Sequence, residues 1–391
     1  MDNRQRPSSR ADFNIAIICS LPLEFDALSL IIDEQWDQIG DRYGRAPGDV
    51  NNYTTARIGK CNVVIMLPSR IGKANSANAT ASLRSSYPNV KLALLVGICG
   101  GVPSVGGEQM RFGDVVLSRT VVEYGFGRQS PRGFITQKDT VEDRLSPANR
   151  DILNLLAPFK SSSELNRLKT RTATVLGQLQ NAAAERGQGA KYNKPDVKVA
   201  DALDSAYRPN ASRTRVDKKP KYQQDNALQV STFAMYVGPI ASADMVVESE
   251  EHLSRLIQEE GVIAFEIPGA GVWKDLPTIT VKGVCDYPNF EKSNGWQEFA
   301  AATAASTSKA ILEGYVQTEN SRTGIALSEI PTATQRGSTY GSNIKAKNVD
   351  QGEKLMVSST QHRHYVQEKS QFGGDVQGDE DVAQGNRMTF S

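Results

Sequence analysis

At 391 residues the chain is long enough to bury a large core, in one big domain or two ordinary ones. Its 45 basic and 44 acidic residues nearly cancel and no apolar run reaches membrane length, which argues against a nucleic-acid surface, an anionic-membrane surface or a membrane span. No stretch after Met1 reads as a secretory leader, so the expectation is a soluble, cytoplasmic chain. Cys19, Cys61, Cys99 and Cys285 lie far apart in or beside apolar runs, without the spacing of a zinc site, and read as buried thiols. His252, His362 and His364 have no Ser or Cys partner in motif context; neither a metal centre nor a histidine triad is predicted.

Residues 1–12 are polar and aperiodic, a loose arm. Phe13 to Cys19 reads as a strand, and Glu24 opens an amphipathic helix running to Glu34. Glu24 therefore stands at a strand-to-helix junction, where a first-turn acid also complements the helix dipole. Cys61 to Leu67 is the next strand, followed by Arg70-Ile-Gly-Lys73 and an Ala-, Ser- and Asn-rich helix from Ala74 to about Ser86. Lys91 to Gly97 is a fully buried strand running into Gly97-Ile98-Cys99-Gly100-Gly101, glycines that permit close backbone approach or a tight turn. Gly113 to Ser118 is another strand, and Glu123-Tyr-Gly-Phe-Gly-Arg128 a loop able to line a pocket.

From about Ser146 to Gln229 the chain becomes polar and basic, read as solvated helix plus a surface insertion over about 160–230. Thr232 to Ile240 restores strand character and leads into Ala241-Ser242-Ala243-Asp244. A charged helix (Glu248 to Glu260), a short strand (Val262 to Ile267) and a turn at Pro268-Gly-Ala-Gly271 follow. Thr278 to Asp286 is a central-strand pattern that ends on one carboxylate, at the sheet edge where α/β folds bind ligands; an Asp there also serves as turn former or helix N-cap. Trp296 to about Gln317 closes the domain with a helix. Alternating strands and helices define an α/β core over residues 13–318.

In this order and at these spacings, Glu24, Arg70-Ile-Gly-Lys73, Gly97–Gly101, Gly113-Asp-Val-Val, Ala241–Asp244, Phe265–Gly271 and Val284-Cys285-Asp286 resemble the nucleoside phosphorylase and nucleosidase superfamily. Glu123–Arg128 and Cys285-Asp286-Tyr287 are most similar to the versions carried by fungal immune-type proteins. The resemblance implies a three-layer αβα fold with a central mixed sheet, a homo-oligomer, no cofactor and no metal. It also implies cleavage of the N-glycosidic bond of a purine nucleoside or nucleotide, with water or phosphate as co-substrate. Such a reaction passes through an oxocarbenium-like sugar, so the departing base must be protonated and the ribose held. Asp286 matches the general acid and Glu24 the residue that activates water. Gly97, Cys99, Gly100 and Gly101 would form the loop under base and ribose, Ser242 and Asp244 would brace it, and Glu266 and Ile267 stand where the family grips the sugar.

Three departures shape the expectation. Hexameric phosphorylases place an Arg and a Ser in the glycine-loop strand to hold phosphate; Leu95 and Ile98 stand there, which favours water as the acceptor. The family's Met-Glu, whose Glu takes both ribose hydroxyls, is Ile267-Pro268, forgoing about 3–6 kcal/mol of charge-assisted bonding; strand alternation turns Glu266 to the other face. Val246 replaces a base-stacking aromatic.

Residues 319–391 have linker composition but contain two matching windows, about 338–358 and 370–391, offset by 32 and then 33 residues. The pattern resembles the two-repeat amyloid signalling motifs of fungal incompatibility proteins of the HET-s kind, which implies a β-solenoid-forming tail and a signalling partner with a matching repeat; a disordered tail is the alternative. Two functions remain open. One is a nucleosidase-type enzyme acting as an effector, favoured by Glu24, Asp244 and Asp286; the other is a catalytically impaired binding or signalling module, favoured by Pro268.

Overall fold

The computed structural model describes residues 6–315 apart from 39, 41, 71, 119, 125–126, 131–132, 137–149, 196–232, 245–249, 268, 274–275 and 288–293, and ten strands beyond residue 331. The second half of the polar insertion, Val246 and Pro268 lie outside the described residues. Residues 1–315 form one compact unit and residues 316–391 a second.

The first unit is built on an 11-stranded mixed sheet. Its strands are β1 (Ile15–Ile18), β2 (Glu34–Gln35), β3 (Tyr53–Ile58), β4 (Cys61–Met66), β5 (Leu92–Gly101), β8 (Val115–Ser118), β9 (Val121–Glu123), β12 (Met235–Val237), β13 (Ile240–Ser242), β14 (Ala264–Glu266) and β15 (Thr278–Asp286). Two hairpins, β6 (Ser104–Val105) with β7 (Glu108–Gln109) and β10 (Gly127–Ser130) with β11 (Gly133–Thr136), stand apart from it. The main path runs β12-β8-β15-β5-β1-β4-β3-β2, with β14 joined to β5 and β13 bridging β14 and β9. At its centre β1, β4, β5 and β15 are mutually parallel neighbours, so the ends of β1, β5 and β15 emerge on one side.

Strand alternation sorts the apolar residues into two layers. Ile15 and Ile17 face one side with Leu94, Val96, Ile279 and Val281; Ala16 and Ile18 face the other with Val64, Met66, Ala93 and Leu95. The first face is covered by α1 (Pro22–Ser29), α4 (Ser162–Glu185) and α7 (Asn294–Gly314), the second by α2 (Lys73–Ser86) and α6 (Gly269–Trp273). Helices α3 (Arg150–Leu156) and α5 (Glu250–Glu260) complete the order. The fold is the expected three-layer αβα arrangement with a mixed central sheet.

Helix α7 seats closely because it is rich in Ala, Ser and Thr, and because Gly283 of β15 has no side chain: a Cβ there would lie 2.0 Å from the Ala300 carbonyl oxygen. Helix α4 is not the solvated element its composition suggests. Leu168, Thr172, Val175, Leu176, Leu179 and Ala183 form a buried face against α7, and Arg171 clamps Glu313 through two bonds of 2.5 and 2.7 Å. Apolar residues at helical spacing outweigh the Arg, Lys and Gln residues on the opposite side.

In the second unit all five strand pairs are parallel. Thr332–Gln335 pairs with His364–Gln367, Thr339–Tyr340 with Gln371–Phe372, Ile344–Ala346 with Val376–Gly378, Val349–Gln351 with Val382–Gln384 and Lys354–Val357 with Arg387–Phe390. The partners stand 32 residues apart in the first three pairs and 33 in the last two, the offsets of the internal sequence match. The two strands of the first pair lie just upstream of the first and of the second window respectively.

Candidate active site

Glu24 is reached from β1 through the short Ser20-Leu21 turn and occupies the first turn of α1, which Pro22 opens. Its carboxylate is buried and accepts three backbone N–H bonds: Ser20 at 2.7 Å and Leu21 at 2.9 Å on Oε2, Ile98 at 2.8 Å on Oε1. The side chain thus caps its own helix and ties it to the end of β5. A carboxylate offers about four acceptor sites, of which the described residues take three, two on Oε2 and one on Oε1. Gly97 makes this position possible, because a Cβ there would sit 2.0 Å from Glu24 Oε1.

Opposite Gly97 in the parallel β5–β15 register stands Lys282, whose side chain therefore shares a face with the Glu24 carboxylate. Lys282 and Glu266 are each 1% exposed and their charged groups are 3.6 Å apart. Burial works against the ammonium, but Glu24 and Glu266 outweigh it and hold the group above the ordinary lysine range. The Cys99 thiol is raised by burial; Lys282 lowers it, while Asp286, Glu266 and Glu24 raise it, so all four charges converge on the end of β5. Cys19 is likewise raised, by burial and by Glu24.

Asp286 ends β15 partly exposed, paired with Gly100 after an irregularity in the ladder at Cys285. Cys285 donates to the Cys99 carbonyl at 3.6 Å, and the Tyr287 hydroxyl donates to the Met110 carbonyl at 2.7 Å. Gly101 is sterically required, since a Cβ would lie 2.6 Å from Met110 Sδ and 2.8 Å from Val284 Cγ1.

Ser242 and Asp244 sit at the end of β13, and both bond to the protein itself. Ser242 is buried and donates to the Ile267 carbonyl at 3.0 Å. Asp244 Oδ1 accepts the backbone N–H of Lys73 at 2.5 Å, at the first turn of α2. Gly72, at φ 127°, turns the Arg70–Lys73 loop into that position. Lys73 then pairs its ammonium with Glu123. These bonds anchor the start of α2 beside the β13–β14 edge. Asp114, in the Gly113-Asp-Val-Val stretch, is a further buried carboxylate, accepting from Ala234 N at 2.6 Å and Arg111 N at 2.7 Å; burial pushes it up to about 6.

Glu24, Gly97, Cys99, Gly100, Gly101, Glu266 and Asp286 gather around the end of β5, whereas Ser242, Asp244 and Ile267 form the adjoining β13–β14 edge. Lys282 and the Lys73–Glu123 pair were not singled out from the sequence. The signal for Lys282 was there: it is the single charge between Thr278 and Cys285, in a strand buried on both faces. Among the described residues no cluster of His, Cys, Asp and Glu could hold a metal ion, and no helix is long and apolar enough to cross a membrane.

A nucleotide-binding leucine-rich repeat (NLR)-like protein of Hyaloscypha variabilis is 25% identical over 315 residues, covering 79% of this chain and 30% of that protein. The chain thus spans under a third of the length of that relative. A structure of a 5'-methylthioadenosine/S-adenosylhomocysteine nucleosidase from Borrelia burgdorferi bound to adenine aligns with a TM-score of 0.49 at 14% identity, over 77% of this chain and 100% of that one. Futalosine hydrolase of Helicobacter pylori aligns at 0.45 and 17% identity, over 78% and 99%. The family model described as Phosphorylase superfamily matches residues 14–317, the whole of the sheet and its covering helices, and the chain belongs to that superfamily.

Proposed function

We propose that the unit spanning residues 13–318 hydrolyses the N-glycosidic bond of a purine nucleoside. The observation that carries this reading is the placement of Glu24 and Asp286 at the same end of the sheet, on either side of the β5 glycines. In this scheme the Asp286 carboxyl gives its proton to N7 of the base as the C1'–N9 bond breaks. Glu24 takes a proton from the water that attacks C1'. Two carboxylates, Glu24 and Glu266, against one ammonium leave a net negative charge that suits a sugar becoming cationic and opposes a phosphate dianion. Leu95 and Ile98, where phosphorylases carry phosphate ligands, point the same way.

The test is incubation of the purified protein with a panel of nucleosides and nucleotides, with and without phosphate. Free base and free ribose should appear at rates independent of phosphate. Ribose 1-phosphate as product would overturn the choice of water, and no base release from any member would overturn the enzyme reading in favour of a binding module.

The tail favours a second role alongside the first. Among the described residues five parallel pairs form a two-rung arrangement, and two rungs cannot close a core, so further copies would extend them. The NLR-like relative is consistent with recruitment in a fungal immune pathway. A peptide spanning residues 330–391 is expected to form thioflavin-positive fibrils, and Val382→Pro, which removes a ladder N–H at the Val349 pair, to suppress them. A peptide that stays monomeric, or a variant that fibrillates equally well, would leave the tail a plain linker.

A further inference from the structure

The sequence motif places Glu266 among the groups that grip the sugar, but its carboxylate is directed elsewhere. It lies on β14, whose antiparallel register with β5 sets Phe265 beside Gly100 and Ala264 beside Gly101. From there it reaches across the end of β5 to Lys282 on β15, and both side chains are 99% removed from solvent. Lys282 in turn faces Gly97, whose missing side chain leaves the space that Glu24 fills. Four segments act on this ammonium electrostatically: α1 through Glu24, β14 through Glu266, β5 through Cys99 and the residue after β1 through Cys19. Both thiols are buried and held in their neutral form, so among the described groups that act most strongly on Lys282 the negative charge comes from Glu24 and Glu266.

We propose that Glu266 is a positioning residue, a buried counterion that keeps Lys282 charged and fixed beside Glu24, and that it does not bind ribose. A lysine this deeply buried would shed its proton if it had too little negative charge nearby. Glu24 alone supplies one charge, and its oxygens are already committed to three backbone N–H groups. Glu266 supplies the other. With Lys282 protonated and held from the far side, its charge orients whatever bonds to Glu24.

The inference rests on the nucleosidase reading only for its kinetic consequence, and the experiment separates the two. In Glu266→Gln, Lys282 should lose its proton at a lower pH. In protein labelled with 13Cε-lysine, the Lys282 resonance, assigned with Lys282→Arg, should stay that of an ammonium across the accessible alkaline range in the wild type and titrate within that range in Glu266→Gln. Base release should gain an alkaline limb that follows the Lys282 titration, with kcat falling about tenfold for each pH unit above its midpoint and KM nearly unchanged. Ribo- and 2'-deoxyribonucleosides should lose rate equally. Adding Lys282→Arg to Glu266→Gln should remove that limb, because a guanidinium does not titrate there. A Lys282 resonance that is indifferent to Glu266→Gln overturns the proposal, as does a KM increase confined to ribonucleosides. If the wild type releases no base, the nucleosidase reading fails and the lysine titration alone decides. If Glu266→Gln does not fold, Glu266→Asp, which keeps the charge, must fold with Lys282 still an ammonium; its failure to fold, or a titrating lysine in it, counts against the counterion.

Discussion

Asp286→Asn is expected to lower base release by about 10²–10⁴-fold while shifting the melting temperature by no more than about 2 °C. The amide has the shape of the carboxyl and stands at the partly exposed end of β15, so little packing changes. In the proposed mechanism, what disappears is the proton that the departing purine needs. The deficit should shrink for substrates whose base leaves readily without protonation, which distinguishes a lost general acid from a distorted pocket. Equal activity in the variant would remove Asp286 from the mechanism. An equal deficit on every leaving group would make its role one of shape.

Gly97→Ala carries the largest expected effect on stability and activity together. The new methyl would stand 2.0 Å from Glu24 Oε1, 2.3 Å from Cδ and 2.7 Å from Oε2, and three N–H bonds hold that carboxylate in place. To make room the carboxylate must leave Ile98 N, stranding a donor beside the sheet at about 1–3 kcal/mol, with overpacking of similar size added. A loss of about 2–4 kcal/mol in denaturant unfolding and at least about 10²-fold in base release is expected. The partner measurement is the same substitution in a Glu24→Ala background, where the methyl has space and the additional stability cost should nearly vanish. A cost that is the same in both backgrounds would place the strain in the β5 backbone and separate Gly97 from Glu24.

The layers of the fold were legible because long apolar strands alternate with helical periods, and the ends of those strands fixed where Glu24, Gly97–Gly101 and Asp286 would meet. Other features depended on partners distant in sequence. Gly97 signalled close approach by something, but that the approaching group is Glu24, 73 positions earlier, follows only from the β1–β5 pairing. Helix α4 looked solvated because it lies in a polar, basic segment, while the face that packs on α7 needs only one apolar residue in three or four. Asp244 carries the motif position of a site residue, yet it spends its carboxylate on the start of α2. Lys282 was the charge that did not belong in its strand, and its meaning depends on two acids from elements 16 and 258 residues away.

The Asp114 carboxylate makes folding of this chain an event that takes up a proton. Buried between the Arg111 and Ala234 amides, its native value of about 6 lies above the 3.8 of an unperturbed aspartate. A group raised in this way contributes its stability fully below the unfolded value and loses it as pH rises through the folded one. Between about pH 4 and pH 6 the native state therefore binds more protons than the unfolded chain at this position, and acidification through that window favours the native form. Taken alone, the two-unit difference corresponds to about 3 kcal/mol. The carboxylates that lose favourable bonds on protonation work in the opposite direction, so Asp114 blunts the acid sensitivity of the fold.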